Sequence, residues 1–168
     1  ADLVRRLCAL DIPVVGIVQN INPKRTNVIL GDDSKTLYGT DRVVDRIGPV
    51  QFQISPRSFY QVNRAQTEKL YQLAMEFAGL TGKETVWDLY CGIGTIGQFM
   101  ARQAKRIVGV EIVQDAVDNA RENAALNGIT NAVYFCGAAE KLAYLQRRFA
   151  ALPGRIEGLH RLRLLPNV

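Results

Sequence analysis

The hydrophobic residues of the second half of the chain alternate between short apolar runs and stretches with helical spacing. Apolar runs at 84–89, 106–111 and 132–136 predict three buried strands. Between the second and third runs, apolar positions recur with the 3.6-residue period and predict a helix over 114–127, closed by Gly128. A shorter helix is predicted from about Thr95 to Ala104. Strands that alternate with helices in this way predict a parallel sheet built from βαβ units.

The first 55 residues have a different pattern, in which short apolar segments are separated by turn residues. A helix over 1–9 is followed by five predicted strands, at 14–19, 26–30, 36–38, 42–47 and 50–54. Turn chemistry at Asn22-Pro23 and Gly48-Pro49 separates neighbouring segments. Together these segments predict an antiparallel meander.

A helix is predicted between the two regions. Asn63 followed by Gln66 fits a capping box, and Gly79 marks the predicted end of the helix. Its predicted apolar face consists of Leu70, Leu73, Ala74 and Phe77. A further amphipathic helix is predicted from Leu142, Leu145, Phe149 and Leu152.

Composition narrows the protein class without identifying a function. The chain has 168 residues, 48% hydrophobic and 22% charged, which is ordinary for a globular protein. No apolar run approaches the roughly 20 residues that span a bilayer, so no membrane partner is predicted. The net charge is +5, but residues 143–168 hold five arginines and one glutamate, so the excess is weak evidence for RNA binding. The cysteines Cys8, Cys91 and Cys136 form no CxxC pair, and no metal site is predicted.

A glycine-rich segment follows the first strand of the second half. Gly92-Ile-Gly-Thr-Ile-Gly97 has the G-x-G-x-x-G pattern, in which backbone without side chains can approach a nucleotide-like cofactor. Glu111 lies 19 residues after Gly92, near the spacing of an acid that accepts from ribose hydroxyls, so NAD remains a candidate. Asp88 favours a cationic amino-acid head group over a pyrophosphate, which favours S-adenosylmethionine instead.

Several motifs carry a family resemblance. Asp88-Leu-Tyr-Cys-Gly-Ile-Gly-Thr95, Val110-Glu111 and Asn119-Ala-Arg-Glu-Asn-Ala124 resemble the class I S-adenosylmethionine-dependent methyltransferases. With Val18-Gln-Asn-Ile-Asn22 and Ser55-Pro-Arg-Ser-Phe-Tyr-Gln-Val-Asn63 added, the sequence is similar to the RNA uracil-5-methyltransferases, especially the bacterial 23S ribosomal RNA enzymes. The similarity covers roughly residues 1–142.

The resemblance implies an α/β fold and a domain organisation. It implies a truncated Rossmann-like methyltransferase sheet, of which residues 56–150 form the N-terminal half. Residues 1–55 would be part of a small β-rich domain, and 151–168 an unmatched tail. The implied reaction transfers a methyl group from S-adenosylmethionine to C5 of a uridine in RNA. The intact parent protein would be a cytoplasmic monomer with RNA, and no protein, as its predicted partner.

The resemblance also implies the cofactor contacts. Gln61 would approach the methionine end, Tyr90 would line the loop, and Glu111 would accept from the ribose hydroxyls. The full set of predicted cofactor-binding residues is Gln61, Asp88, Tyr90, Gly92, Gly94, Thr95 and Glu111. The family pattern Gly-Asn-Ala-Glu is Gly137-Ala-Ala-Glu140 here, so residue 138 offers adenine no side-chain hydrogen bond.

The family reaction needs a cysteine that adds to C6 of uracil and a base that removes the C5 proton. The family places that cysteine after an Asp-Pro-Pro-Arg segment, which this sequence lacks. Cys91 is interpreted as a small packing residue, Cys136 as a core residue, and Cys8 as too far along the chain. No catalytic residue is predicted, and the fragment is expected to be inactive. The alternatives are an inactive cofactor- or RNA-binding remnant and, more distantly, an NAD-dependent oxidoreductase.

Overall fold

A computed structural model describes residues 2–25 and 27–141. The first half contains α1 (Asp2–Cys8), β1 (Gly16–Ile21), β2 (Asp33–Gly39), β3 (Val43–Ile47) and β4 (Val50–Ile54). The second half contains α2 (Arg64–Ala78), β5 (Thr85–Leu89), α3 (Thr95–Met100), β6 (Arg106–Glu111), α4 (Gln114–Leu126) and β7 (Ala132–Cys136). The helix predicted from Leu142 to Leu152 and the tail lie outside the described residues.

Strands β5, β6 and β7 form a parallel sheet in that order, which confirms the predicted α/β fold. The central strand β6 is the most buried, with Ile107, Val108 and Val110 each at most 1% exposed. The observed bounds of β6 and β7 are the predicted ones. The prediction succeeds because a continuous apolar run is typical of a parallel strand covered on both faces. The helix predicted over 95–104 instead ends as an α-helix at Met100 and continues as one 3₁₀ turn, Ala101–Gln103.

The predicted meander is only partly correct. β1 pairs with β2 and β3 with β4, both antiparallel, as two separate two-stranded sheets. The strand predicted at 26–30 is wrong, since residues 27–30 form no strand. Asn22 donates its side-chain amide to the carbonyls of Val28 (2.7 Å) and Ile29 (3.1 Å), so a side chain takes the place of a strand partner there.

The β3–β4 hairpin shares a core with the second half of the chain. Ile47, Val50 and Phe52 pack in one buried cluster with residues of the later elements. Those later residues are Tyr71 of α2, Ile93 of the glycine loop and Phe99 of α3. The domain boundary predicted at residue 55 stays a prediction, but it separates residues that are packed together.

Two asparagines, Asn123 in α4 and Asn127 at its C-cap, hydrogen-bond the backbone of β4. Asn123 accepts from the backbone N–H of Gln53 (2.7 Å) and donates to its carbonyl (3.2 Å). One helical turn later, Asn127 makes the same pair of bonds to Gln51, at 2.8 and 2.7 Å. Because side chains four apart share a helix face and alternate strand residues share an edge, the two amides pair with β4 as a neighbouring strand would.

Helix α2 begins and ends where predicted but buries a different face. Asn63 caps it by accepting from Gln66 N–H, and Gly79 ends it with φ of 55°. Of the predicted apolar face, Ala74 is half-buried, but Leu70, Leu73 and Phe77 are 57%, 45% and 82% exposed. The buried side is built on Thr67 and Tyr71. The prediction fails because Tyr71 is a large side chain with a polar end that finds a partner inside (Thr95, described below).

Candidate cofactor site at the glycine loop

The glycine-rich segment links β5 to α3 at the carboxyl end of the parallel sheet. Gly92 and Gly94 have φ of 54° and 80°, which glycine adopts without strain. A Cβ on Gly94 would lie 2.8 Å from Nε2 of Gln98 and 2.9 Å from the hydroxyl of Tyr134, so that position has no room for a side chain. A Cβ on Gly92 would meet nothing within 4 Å. The loop is therefore tightly packed below Gly94 and open at Gly92.

Asp88 holds the far end of this loop. Its side chain is buried, and Oδ2 accepts from the backbone N–H of Gly97 at 2.9 Å. Burial raises the pKa of Asp88 to about 6, and the hydrogen bond from Gly97 acts in the opposite direction. The sequence predicts a carboxylate that faces a cationic head group, whereas the structure turns it inward to α3. Direct cofactor contact stays a prediction, and the observed geometry makes Asp88 a brace of the loop.

Glu111 holds the near end. Its Oε2 accepts from the N–H of Gly92 at 3.0 Å, and Oε1 accepts from Ile112 and Val113 at 2.9 and 3.0 Å. Glu111 ends β6, the strand that pairs directly with β5. Asp88 and Glu111 therefore belong to adjacent strands and bind the two ends of one loop. This is the shared location that a cofactor site built on both carboxylates requires.

Tyr90 has an unusual backbone conformation next to the loop. It is the only non-glycine residue of positive φ (60°) within residues 2–25 and 27–141. Its side chain is 64% exposed, and the hydroxyl donates to Oε1 of Glu140 at 2.8 Å. Sequence reasoning did not select Glu140 as a site residue, although its place in the Gly137-Ala-Ala-Glu140 motif after β7 was an available signal.

Thr95 is attached to α2, while Gln61 is not joined to the loop. The hydroxyls of Thr95 and Tyr71 lie 2.7 Å apart, which links the start of α3 to α2. Gln61 is exposed on the segment between β4 and α2. Across the described ranges, Gln61 makes no hydrogen bond to the glycine loop, and its predicted role at the methionine end stays a prediction.

The three cysteines differ in burial. Cys91 is buried, and burial raises the pKa of its thiol, with the charges of Asp88 and Glu111 adding to the effect. This environment fits the predicted packing role. Cys8 is exposed at the end of α1. The core placement predicted for Cys136 is wrong: it is the exposed last residue of β7, and its thiol donates to the carbonyl of Ile112 at 3.3 Å.

Two open clefts of about 260 and 290 Å³ lie between the β1–β2 hairpin and α4. None of the seven predicted cofactor residues lines either one. Arg57, which lines both, lies 3.5 Å from a carboxylate oxygen of Asp115 and 3.9 Å from one of Asp32. The clefts are thus rich in paired charges and separate from the glycine loop.

Neither a metal-ligand cluster nor a membrane-spanning helix occurs among the described residues. No group of three or more His, Cys, Asp or Glu side chains in this part of the chain is arranged to hold a metal ion. None of the helices described is long and apolar enough to cross a membrane.

The sequence is similar to those of RNA methyltransferases. The family described as tRNA (uracil-5-)-methyltransferase matches residues 10–157. An uncharacterised RNA methyltransferase of Halalkalibacterium halodurans is 55% identical over 140 residues, which is 83% of this chain and 31% of that protein. A counterpart from Enterococcus faecalis is 54% identical over 129 residues, 77% of this chain and 28% of its own length. The chain therefore spans about 30% of these relatives.

Solved structures agree with the fold. The Pyrococcus abyssi tRNA (uracil-54, C5)-methyltransferase, solved with S-adenosyl-L-homocysteine, superposes with a TM-score of 0.63 at 26% identity, covering 76% of this chain and 31% of that one. The M. jannaschii tRNA m1G37 methyltransferase superposes with a TM-score of 0.57 at 14% identity over 79% of this chain and 39% of that one. Both share the class I methyltransferase arrangement of strands and helices.

Proposed function

The chain belongs to the tRNA (uracil-5-)-methyltransferase family, and from this premise we propose that it forms the cofactor-binding part of an enzyme that methylates C5 of uridine in RNA. The cofactor is S-adenosylmethionine, which supplies the methyl group. One observation carries the proposal: Asp88 and Glu111, on adjacent parallel strands, bind opposite ends of the Gly92–Gly97 loop.

The chemistry of the site suits this cofactor better than a dinucleotide. Two carboxylates beside the loop would repel a pyrophosphate, and they tolerate the cationic sulfonium and amino groups of S-adenosylmethionine. Oε2 of Glu111 has one backbone partner and therefore retains the capacity to accept from a ribose hydroxyl. Gly92 leaves open space beside it. Glu111, Tyr90 and the backbone at Gly92 would hold the nucleoside, with Gln61 toward the methionine end.

The proposed substrate is 23S ribosomal RNA, on the sequence resemblance described above. Transfer RNA is the second candidate, because the family description and the Pyrococcus abyssi structure both name a tRNA enzyme. The intact enzyme would act as a cytoplasmic monomer with RNA as its partner.

We propose that the 168-residue chain binds the cofactor without transferring its methyl group. The family reaction needs a cysteine thiolate beside the cofactor, where it can add to C6 of uracil. The thiol of Cys91 is buried with a raised pKa, and Cys8 lies on α1, far along the chain from the loop. Cys136 is exposed, but its thiol is directed to the carbonyl of Ile112. None of these arrangements activates a thiol for addition to uracil.

Calorimetric titration tests the cofactor. We expect S-adenosylhomocysteine to bind and NAD to give no heat of binding. Glu111→Ala should weaken the binding of S-adenosylhomocysteine at least tenfold, as expected for loss of a charged acceptor. Glu76→Ala, at an exposed position of α2, is the matched control and should bind like the wild type. Binding of NAD without S-adenosylhomocysteine would contradict the proposal.

A methyl-transfer assay tests the substrate and the expected inactivity. Tritiated S-adenosylmethionine is incubated with unmodified 23S rRNA or tRNA transcripts, and 5-methyluridine is measured after nuclease digestion. We expect none from the 168-residue chain. The full-length Halalkalibacterium halodurans relative, run in parallel, should label 23S rRNA. Labelling of tRNA alone would select the second candidate, and any product from the chain itself would refute its inactivity.

A further inference from the structure

The conformation of Tyr90 needs a support that packing does not provide. A non-glycine residue in the left-handed region is strained, and it persists when its surroundings hold it there. The side chain of Tyr90 is 64% exposed, so burial is not that support. The hydrogen bond from its hydroxyl to Glu140 fixes the far end of the side chain.

The turn that carries Glu140 is itself well anchored. Gly137 N–H donates to the carbonyl of Glu111 at 2.8 Å, which ties the start of the turn to the end of β6. Ala139 is 6% exposed and packs against Val108 and Val110. The pKa of Glu140 is lowered, first by its own backbone N–H and then by the Tyr90 hydroxyl, so the carboxylate stays an ionised acceptor at neutral pH.

The Tyr90–Glu140 bond crosses the end of the strand that carries Glu111. Tyr90 follows β5 and Glu140 follows β7, with β6 between them. Neighbouring strands lie about 4.8 Å apart, so the bond joins elements about 10 Å apart across the carboxyl end of β6. A ligand held by Glu111 would therefore lie beside this bond.

We propose that Glu140 is a positioning residue of the cofactor site: its carboxylate holds the ring of Tyr90 as one wall of the space beside Glu111. This inference rests on the proposed function, since it assumes that S-adenosylmethionine occupies that space. Glu140 acts through Tyr90 and does not itself contact the cofactor. Its removal should weaken cofactor binding because the ring must then be ordered when the ligand binds.

The test is a double-mutant cycle on the affinity of the 168-residue chain for S-adenosylhomocysteine, measured by calorimetry. Glu140→Ala and Tyr90→Phe should each weaken binding about five- to tenfold, the loss expected for one intramolecular hydrogen bond. The double variant should be no weaker than either single variant, because both remove the same bond. Glu140→Gln keeps an acceptor oxygen and should stay within about twofold of the wild type.

The controls separate the possible failures. Glu76→Ala should leave the affinity unchanged, and each variant should keep a cooperative thermal transition, which shows that it is folded. If the wild type does not bind S-adenosylhomocysteine, the proposed function fails and this inference with it. If the wild type binds and Glu140→Ala binds equally well or more tightly, or if the losses are additive, only the role of Glu140 is refuted. Should Glu140→Ala not fold, Tyr90→Phe against Glu140→Gln decides the same question.

Discussion

The parallel sheet and the β1–β2 hairpin are stabilised in different ways. In the sheet, four consecutive residues of β6 are buried, from Ile107 to Val110. In the hairpin, every residue of β2 is exposed. Its order comes instead from polar side chains such as Asn20, whose amide bonds the backbone of Gly31 in both directions, at 3.0 and 2.7 Å. Burial therefore stabilises the parallel sheet, whereas specific side-chain hydrogen bonds stabilise the β1–β2 hairpin.

The largest effect is expected between α4, which packs against the parallel sheet, and the β3–β4 hairpin. Asn123 is fully buried, and Asn123→Ala would leave the backbone N–H and carbonyl of Gln53 without their partner. We expect a loss of about 4 kcal/mol in the free energy of unfolding, measured in urea. Asn27→Ala, at an exposed loop position, should change it by less than about 0.5 kcal/mol. Similar small effects for both would show that the amides of α4 do not hold β4.

The next effect tests the buried sheet alone. A Cβ on Gly109 would lie 2.3 and 2.6 Å from ring atoms of Tyr134, which is itself buried. Gly109→Ala should therefore destabilise the chain by about 3 kcal/mol through overpacking. At Gly137 a Cβ would meet nothing within 4 Å, so Gly137→Ala should be close to neutral when the thermal unfolding of both variants is measured. Equal stability of the two variants would contradict the packing argument.

A third prediction uses pH to sharpen the same contrast. The pKa of Asp88 rises from 3.8 to about 6 on folding, so between these values the folded state binds more protons than the unfolded state. The stability contributed by protonated Asp88 is present below pH 4 and is lost as pH rises through 6. The total is about 3 kcal/mol at 1.36 kcal/mol per pKa unit.

Asp88→Asn removes that titration while keeping an oxygen for Gly97 N–H. The stability of the variant relative to the wild type should increase from pH 4 to pH 6.5 and then level off, as followed by urea unfolding at each pH. Parallel curves would show that the carboxyl group is not desolvated in solution.

The smallest effect is expected in the hairpin. Asn20→Ala removes the amide bonds to Gly31, which is buried although its neighbours are not. We expect a local loss of about 1–2 kcal/mol. It should appear as faster amide hydrogen exchange in β1 and β2 with unchanged exchange in β6. Faster exchange throughout the chain would mean that hairpin and sheet unfold as one unit.

The same contrast explains what the sequence predicts well. The predicted bounds of β6 and β7 were correct because a short apolar run is stable as a strand buried inside a parallel sheet. The prediction of the glycine loop was correct because few residues other than glycine adopt the positive φ found at positions 92 and 94 without strain. The adjacency of Asp88 and Glu111 followed from strand order alone.

The failures have physical causes that a linear pattern does not contain. Leu70 and Phe77 have helical spacing, but the buried face of α2 was decided by the hydroxyl of Tyr71 and its partner Thr95. The inward turn of Asp88 depends on where the N–H of Gly97 lies in three dimensions. The Gly137–Glu140 motif could mark Glu140 as a candidate, but its bond to Tyr90 joins residues 50 apart, so a local pattern does not identify the partner.

The asparagine pairing between α4 and β4 limits how the gene can change in length. Each residue of a helix advances its side chain by about 100°, so one inserted codon between Asn123 and Asn127 would swing the second amide away from Gln51. The strand could follow only by slipping its own register, which would exchange its inner and outer faces. Insertions and deletions should therefore be absent between Asn123 and Asn127, where the spacing of the two amides is fixed by β4.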